Sequence, residues 1–189
     1  IYDWNEKDRT GPVLRKTPRF VDEYIRDGLQ SPSVKDPSIE EKMELVRLMD
    51  QLGIDVVNLG LPGAGKRAQE DVEALLRMIV EEKLSILPNC AARTMAHDIL
   101  PIVEISQRVG MAIEVTAFIG SSPIRSYTEK WDEEKLARYT KEAMELCVQN
   151  NLPASYVTED TTRSHPRTLD RLFRTAIDAG ATRLVLCDT

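Results

Sequence analysis

One pattern recurs along this chain and limits what it can fold into. A short apolar run is followed by a polar loop and then by a segment with one apolar helical face, at about the thirty-residue length of a βαβ unit. The runs cover residues 20–25, 54–59, 85–91, 112–119, 154–158 and 183–187, with five helical segments between them. Ser38 with Glu41 three residues on reads as a capping box, and Gly53 as the stop of that helix. Ile39, Met43, Val46 and Met49 keep helical spacing along one side. In the last segment Leu169, Leu172, Phe173, Ala176 and Ile177 form the stripe, with Ser164 as the expected N-cap, Pro166 in the first turn and Gly180 as the stop.

Alternation of this kind predicts parallel strands joined by right-handed crossovers. An open doubly wound sheet and a (β/α)8 barrel both satisfy it. A complete barrel takes eight strands and about 250 residues, whereas 189 residues and six strand-like runs are present. The periodicity therefore leaves an open sheet or a barrel without its last quarter. Residues 1–19 read as a polar N-terminal arm and 20–189 as the repeating unit.

Composition removes several classes of function. The formal charge of −6 and the absence of a basic tract argue against nucleic acid. No apolar run is long enough to span a bilayer, so no membrane role is expected. Cys90, Cys147 and Cys187 lie far apart and odd in number, which fits a reduced, cytoplasmic protein better than a disulfide framework.

Two groups of residues could carry chemistry. GLPGAGKR, residues 60–67, follows a strand and opens a helix with the GxxxxGK spacing of a phosphate loop, but Arg67 stands where a Ser or Thr should hold magnesium. A nucleotide site fails at that position. The second group lies at the strand ends, which in a barrel converge on one mouth: Arg26, Asp27 and Gln30; Asn58; Asn89 and Arg93; Thr116 and Ser122; Glu159 and Arg163; Asp188 and Thr189. It offers carboxylates for a hard cation, guanidinium groups for anionic oxygens, and a carboxylate able to move protons.

Those same residues carry a resemblance. DEYIRDGLQ (22–30) is similar to the D-x-T-L-R-D-G-x-Q signature of the metal-dependent acyl-CoA condensing enzymes and lyases, which include isopropylmalate, homocitrate and citramalate synthases and hydroxymethylglutaryl-CoA lyase. In chain order, NLGLP (58–62), NCAAR (89–93), FIGSSPI (118–124), TEDTTRSHP (158–166) and LCDT (186–189) resemble that family's later strand-end motifs. The resemblance implies a (β/α)8 TIM barrel, of which this chain supplies the first six strands.

It also implies a Claisen-type condensation of acetyl-CoA with a 2-oxo acid, assisted by a divalent metal (Mg, Mn or Zn), in amino-acid biosynthesis such as that of leucine. By resemblance Asp27 is a metal ligand, Arg26 steadies the oxyanion, and Glu159 moves a proton or orients substrate. Gln30, Arg93, Thr116, Ser122, Arg163 and Thr189 are the corresponding substrate-binding positions, and a homodimer is implied. The bland alternatives are a turn cap for Asp27, an ion pair for Arg26, and a cap or a pair with Arg163 for Glu159.

Departures from the family pattern are equally specific. Asn58 replaces a Glu, Thr116 a His found in many synthases, and Tyr24 a Thr. The family's other two metal ligands form an H-x-H pair on the seventh strand, whereas His97 and His165 are the only histidines here and stand in helical segments. The expectation is a fragment of a longer polypeptide, or a barrel without that metal site, inactive alone. RDGLQ is the lyase-like spelling, so a carbon–carbon lyase is the alternative activity, and a truncated barrel acting as a binding module is a third reading.

Overall fold

A computed structural model describes residues 17–187. Six parallel strands form one sheet in the order of the chain: β1 (Val21–Asp22), β2 (Val56–Asn58), β3 (Leu87–Arg93), β4 (Glu114–Ile119), β5 (Ala154–Thr158) and β6 (Arg183–Leu186). The helices are α1 (Ile39–Leu52), α2 (Lys66–Glu81), α3 (Ala96–Val109), α4 (Pro123–Glu129), α5 (Glu133–Gln149) and α6 (Pro166–Asp178). Each crossover steps in the same direction, with no point where the strand order reverses. A doubly wound sheet needs such a reversal, so the helices here cover one face and the sheet is a partial TIM barrel.

Alternation along the strands divides the two faces. Cys90 and Ala92 of β3, Val115, Ala117 and Ile119 of β4, and Ala154 and Tyr156 of β5 pack with the helices in one hydrophobic core. Leu76, Ile99, Leu136, Met144 and Leu172 meet them from the helical layer, and all are fully buried. The hydroxyl of the buried Tyr156 lies 3.2 Å from Thr140 Oγ1 on α5, so its polar tip keeps a partner. The opposite face presents Asn89 and Ala91, Thr116 and Phe118, and Ser155 and Val157 to a cavity.

The expected elements are present, with three differences. β1 is two residues long instead of the expected six, because Asp22 Oδ1 captures the Tyr24 N–H at 2.8 Å and Asp27 N–H closes on Glu23 O at 2.7 Å. The chain therefore turns at Glu23, and Ile25 enters the core from a turn. The fourth crossover holds two helices instead of one: α4 ends at Lys130 in the left-handed region, and Asp132 caps α5 through Lys135 N–H at 2.8 Å. The cap of α6 is His165, whose Nδ1 accepts from Arg167 N–H at 3.1 Å; Ser164 instead meets Ser121 Oγ at 2.8 Å. On α1, Lys42 shares the helix face of Val46 and Met49 and is buried, its charge held by Asp36 at 2.9 Å and Asp71 at 2.8 Å.

Cys90, Cys147 and Cys187 are free, and burial pushes the Cys147 thiol up to about 12. Among the described residues no helix is long and apolar enough to cross a membrane. The expected N-terminal arm lies almost wholly outside the described residues, as do Asp188 and Thr189.

The capping box is as the sequence predicts: Glu41 N–H reaches Ser38 Oγ at 3.3 Å and Ser38 N–H reaches Glu41 Oε2 at 2.7 Å. Ser38→Ala should cost about 1 kcal/mol of stability. Leu172→Ala, which empties a fully buried position under α6, should cost about 2–5 kcal/mol. Denaturant midpoints of the two variants check the order. Equal losses would mean that α6 is not packed as described.

Candidate active site

The mouth of the sheet draws its charged groups from its first and fifth strands. β1 contributes the turn that carries Arg26, Asp27 and Gln30, and β5 contributes Glu159 immediately past its last residue. All four line one cavity of about 760 Å3, together with Asn89, Thr116 and residues of β6. A flat sheet would hold its first and fifth strands too far apart for one cavity to touch both, because neighbouring strands are about 4.8 Å apart.

Glu23 organises the first end. Its Oε2 accepts Arg26 Nη2 at 2.6 Å and Nε at 3.1 Å, and Asn58 Nδ2 at 2.9 Å from the end of β2. Arg26 Nη1 then reaches Asp27 Oδ1 at 3.0 Å. The guanidinium is thus held from two sides, with both contacts from carboxylates. Asn58 is fully buried, and its own Oδ1 accepts the Gly60 N–H at 3.2 Å. A carboxylate at position 58 would face Glu23, so the amide there is consistent with the carboxylate at 23. Glu23 is not among the strand-end residues that the motifs single out. The signal available was its position three residues before Arg26.

Asp27 sits at the cap position of the short turn Gly28–Gln30 but makes no side-chain cap bond, so the capping alternative is not realised. Its side chain is 65 % exposed. The ion-pair alternative for Arg26 is present in the structure, and it leaves the guanidinium on the cavity wall.

At the other end Glu159 and Asp160 are adjacent and treated oppositely. Burial pushes the Glu159 carboxyl above its ordinary value; Arg125 pulls it back, while Asp160 and Glu129 raise it further. Burial also acts to raise Asp160, but hydrogen bonds override it and hold that carboxyl below its ordinary value. They come first from the Ser122 side chain and then from backbone N–H groups, those of Ser121 and Ser122 each at 3.0 Å. Asp160 therefore staples the β4–α4 junction, and Glu159 is left for the cavity.

The remaining predicted residues divide. Thr116 lines the cavity, and its Oγ1 is buried without a hydrogen-bond partner among the described residues, as is Asn89 Oδ1. Arg93 turns away from the cavity to Asp98, with Nε–Oδ2 at 2.6 Å and Nη2–Oδ1 at 2.9 Å. Ser122 accepts from Arg125 N–H at 3.2 Å as the cap of α4 and is not on the cavity wall. Arg163 closes the turn Thr161–Arg163 after β5, exposed and off the wall. Thr189 lies outside the described residues.

The glycine-rich loop does not form a nucleotide cradle. Residues Pro62–Ala64 make a 3₁₀ turn, the Lys66 side chain is 89 % exposed with Glu70 at 3.5 Å, and Arg67 is bound to Asp36. Nor do the described residues amount to a metal centre: no three His, Cys, Asp or Glu side chains among them converge. His97 is exposed beside Arg93 and Asp98, and His165 is spent on its cap.

Comparison with known proteins agrees with the fold. A 2-isopropylmalate synthase of Sulfolobus acidocaldarius is 28% identical over 94% of this chain and 44% of its own length. That of Caulobacter vibrioides is 32% identical over 89% of this chain and 31% of its own length. The HMG-CoA lyase of Bacillus subtilis shares the fold with a TM-score of 0.67 at 17% identity, over 90% of this chain and 57% of the lyase. The chain thus spans less than half the length of the two synthases. The family model described as HMGL-like matches residues 17–189, nearly the whole sequence, and the chain belongs to the HMGL-like family.

Proposed function

We propose that this chain forms the substrate-gripping part of an acyltransferase that condenses acetyl-CoA with a 2-oxo acid. The observation that carries the reading is the convergence of Arg26 and Asp27, after β1, and Glu159, after β5, on one cavity. The similarity to proteins named 2-isopropylmalate synthase supports the synthase direction of that chemistry.

In this reading the Glu159 carboxylate takes a proton from the methyl group of acetyl-CoA. The enolate carbon then bonds to the carbonyl carbon of the 2-oxo acid, and the carbonyl π pair moves onto oxygen. Arg26 faces that oxygen and stabilises its charge, already oriented by Glu23 and Asp27, so that little reorganisation accompanies the reaction. Water then cleaves the thioester and CoA leaves as the thiol. A carboxyl raised by burial is a stronger base than an exposed one and suits this proton transfer.

Asp27 is assigned one position of a divalent-metal site. The described residues do not supply the rest of that ligand set, so no step above is routed through a metal. Gln30 and Thr116, on the same wall, are assigned to the 2-oxo acid.

The test is CoA release that requires both acetyl-CoA and a 2-oxo acid. Cleavage of a 3-hydroxyacyl-CoA without such release would replace this reading with a lyase. Glu159→Gln should lower kcat by about 10²-fold or more, and Arg26→Lys by about 10²–10³-fold, because the ammonium cannot reproduce the two-nitrogen contact with Glu23.

The pH dependence has a definite sign. Only the ionised Glu159 accepts a proton, so activity should fall as pH drops through its midpoint. Burial puts that midpoint above the ordinary 4.5. Glu159→Gln should abolish this acidic limb; a limb that survives the substitution would assign the base elsewhere.

A further inference from the structure

Glu159 is approached by a residue that neither the motifs nor the family resemblance single out. The β4–α4 junction passes through Gly120, and a Cβ at that position would lie 2.8 Å from Arg125 Cγ and 2.9 Å from Glu159 Oε2. Both distances are shorter than side-chain carbons tolerate, so the junction is squeezed from both sides and a hydrogen at 120 leaves the room. Through this gap Arg125 Nη2 comes to 4.0 Å from Glu159 Oε2. Its Nε is buried without a hydrogen bond among the described residues and lies 3.7 Å from Glu129 Oε1, one turn along α4. The guanidinium is thus shared between two carboxylates and close-bonded to neither.

Among the described residues, the charged groups that act on Glu159 are Arg125 and Glu129 from α4 and Asp160 from the adjoining turn; Cys187, just past β6, is a thiol that burial pushes up. Burial, Asp160 and Glu129 all favour the neutral carboxyl, and Arg125 opposes them.

We propose that Arg125 is a positioning residue for Glu159: from α4 its guanidinium holds the carboxylate at the cavity mouth and keeps it ionised, and Gly120 is the gap that lets the two side chains meet. This deepens the proposed function and rests on Glu159 being its proton-moving group. It also gives α4 a purpose, since that short helix carries no cavity-lining residue and yet reaches the reactive carboxylate.

The experiment titrates the Glu159 carboxyl carbon by NMR in the substrate-free protein and three variants. Arg125→Gln removes the charge and should raise the midpoint by about one pH unit, the scale of a unit charge 4 Å away under partial solvent screening. Arg125→Lys keeps the charge and should return most of that shift, while kcat stays reduced because a flexible ammonium does not fix the carboxylate's direction. Glu129→Gln releases the guanidinium from its competing partner and should lower the midpoint.

An unchanged midpoint in Arg125→Gln would overturn the proposal. So would an Arg125→Lys indistinguishable from the Gln variant, or a Glu129→Gln whose midpoint does not fall. Arg125 is 42 % exposed and Glu129 is 38 % exposed, so these variants should keep the wild-type melting temperature. The titration needs no substrate. A protein carrying this segment within a complete barrel, yet without condensing activity, would therefore sink the acyltransferase reading while leaving this result intact.

Discussion

A sheet wound in one direction can bury only one of its faces under its own helices. That constraint governs this molecule. The crossovers supply a continuous apolar layer against Cys90, Ala92, Val115, Ala117 and Tyr156, and among the described residues they leave the other face to a cavity. Polar residues there, Asn89, Thr116 and Ser155, are tolerated because they face a cavity and not the core. Curvature then brings the far strands together at their C-terminal ends. Without it Arg26 and Glu159, more than one hundred residues apart in sequence, would belong to separate surfaces.

The charges at the mouth are ordered by local contacts made before any ligand is involved. An isolated guanidinium between two carboxylates could swing to either. Here Glu23 takes two of its nitrogens and Asp27 the third, which fixes its plane. Asn58 adds a neutral donor to Glu23 from the next strand, so the arrangement is tied to the sheet and not to the turn alone. The same economy recurs at the β3 end, where Asp98 takes both the side chain and the N–H of Arg93. That residue thereby becomes part of the frame around the mouth.

Much of this was legible because it is periodic or local. The parallel sheet follows from alternating elements of regular length, and the α1 cap from Ser38, Glu41 and Gly53. Cavity residues at β1 and β5 were legible from motif order. What escaped has a common cause. β1 was overestimated because its apolar residues suit a strand, while the turn is set by a side-chain acceptor, Asp22, that a hydrophobic pattern does not register. Ser164 looks like a cap until Ser121, 43 residues away, competes for its hydroxyl. The α4–α5 break was in fact readable, since Asp132 precedes Glu133 and Glu134 as a helix start should. In the other cases a long-range or side-chain-to-backbone contact defeated a local preference.

Glu159 and Asp160 carry the same logic to the chemistry. They are neighbours of the same type, both partly buried, yet one is raised and the other lowered. The difference is hydrogen bonding. Asp160 turns toward backbone N–H groups of the β4–α4 junction, which stabilise its charge. Glu159 turns to the cavity, where burial penalises its charge and Arg125 limits the penalty from 4.0 Å. Paired carboxyls pushed apart in this way acquire different tasks on one loop. Asp160 holds the junction from which α4 starts, and α4 in turn carries Arg125. The carboxylate that cannot easily protonate therefore fixes the position of the cation acting on the one that can.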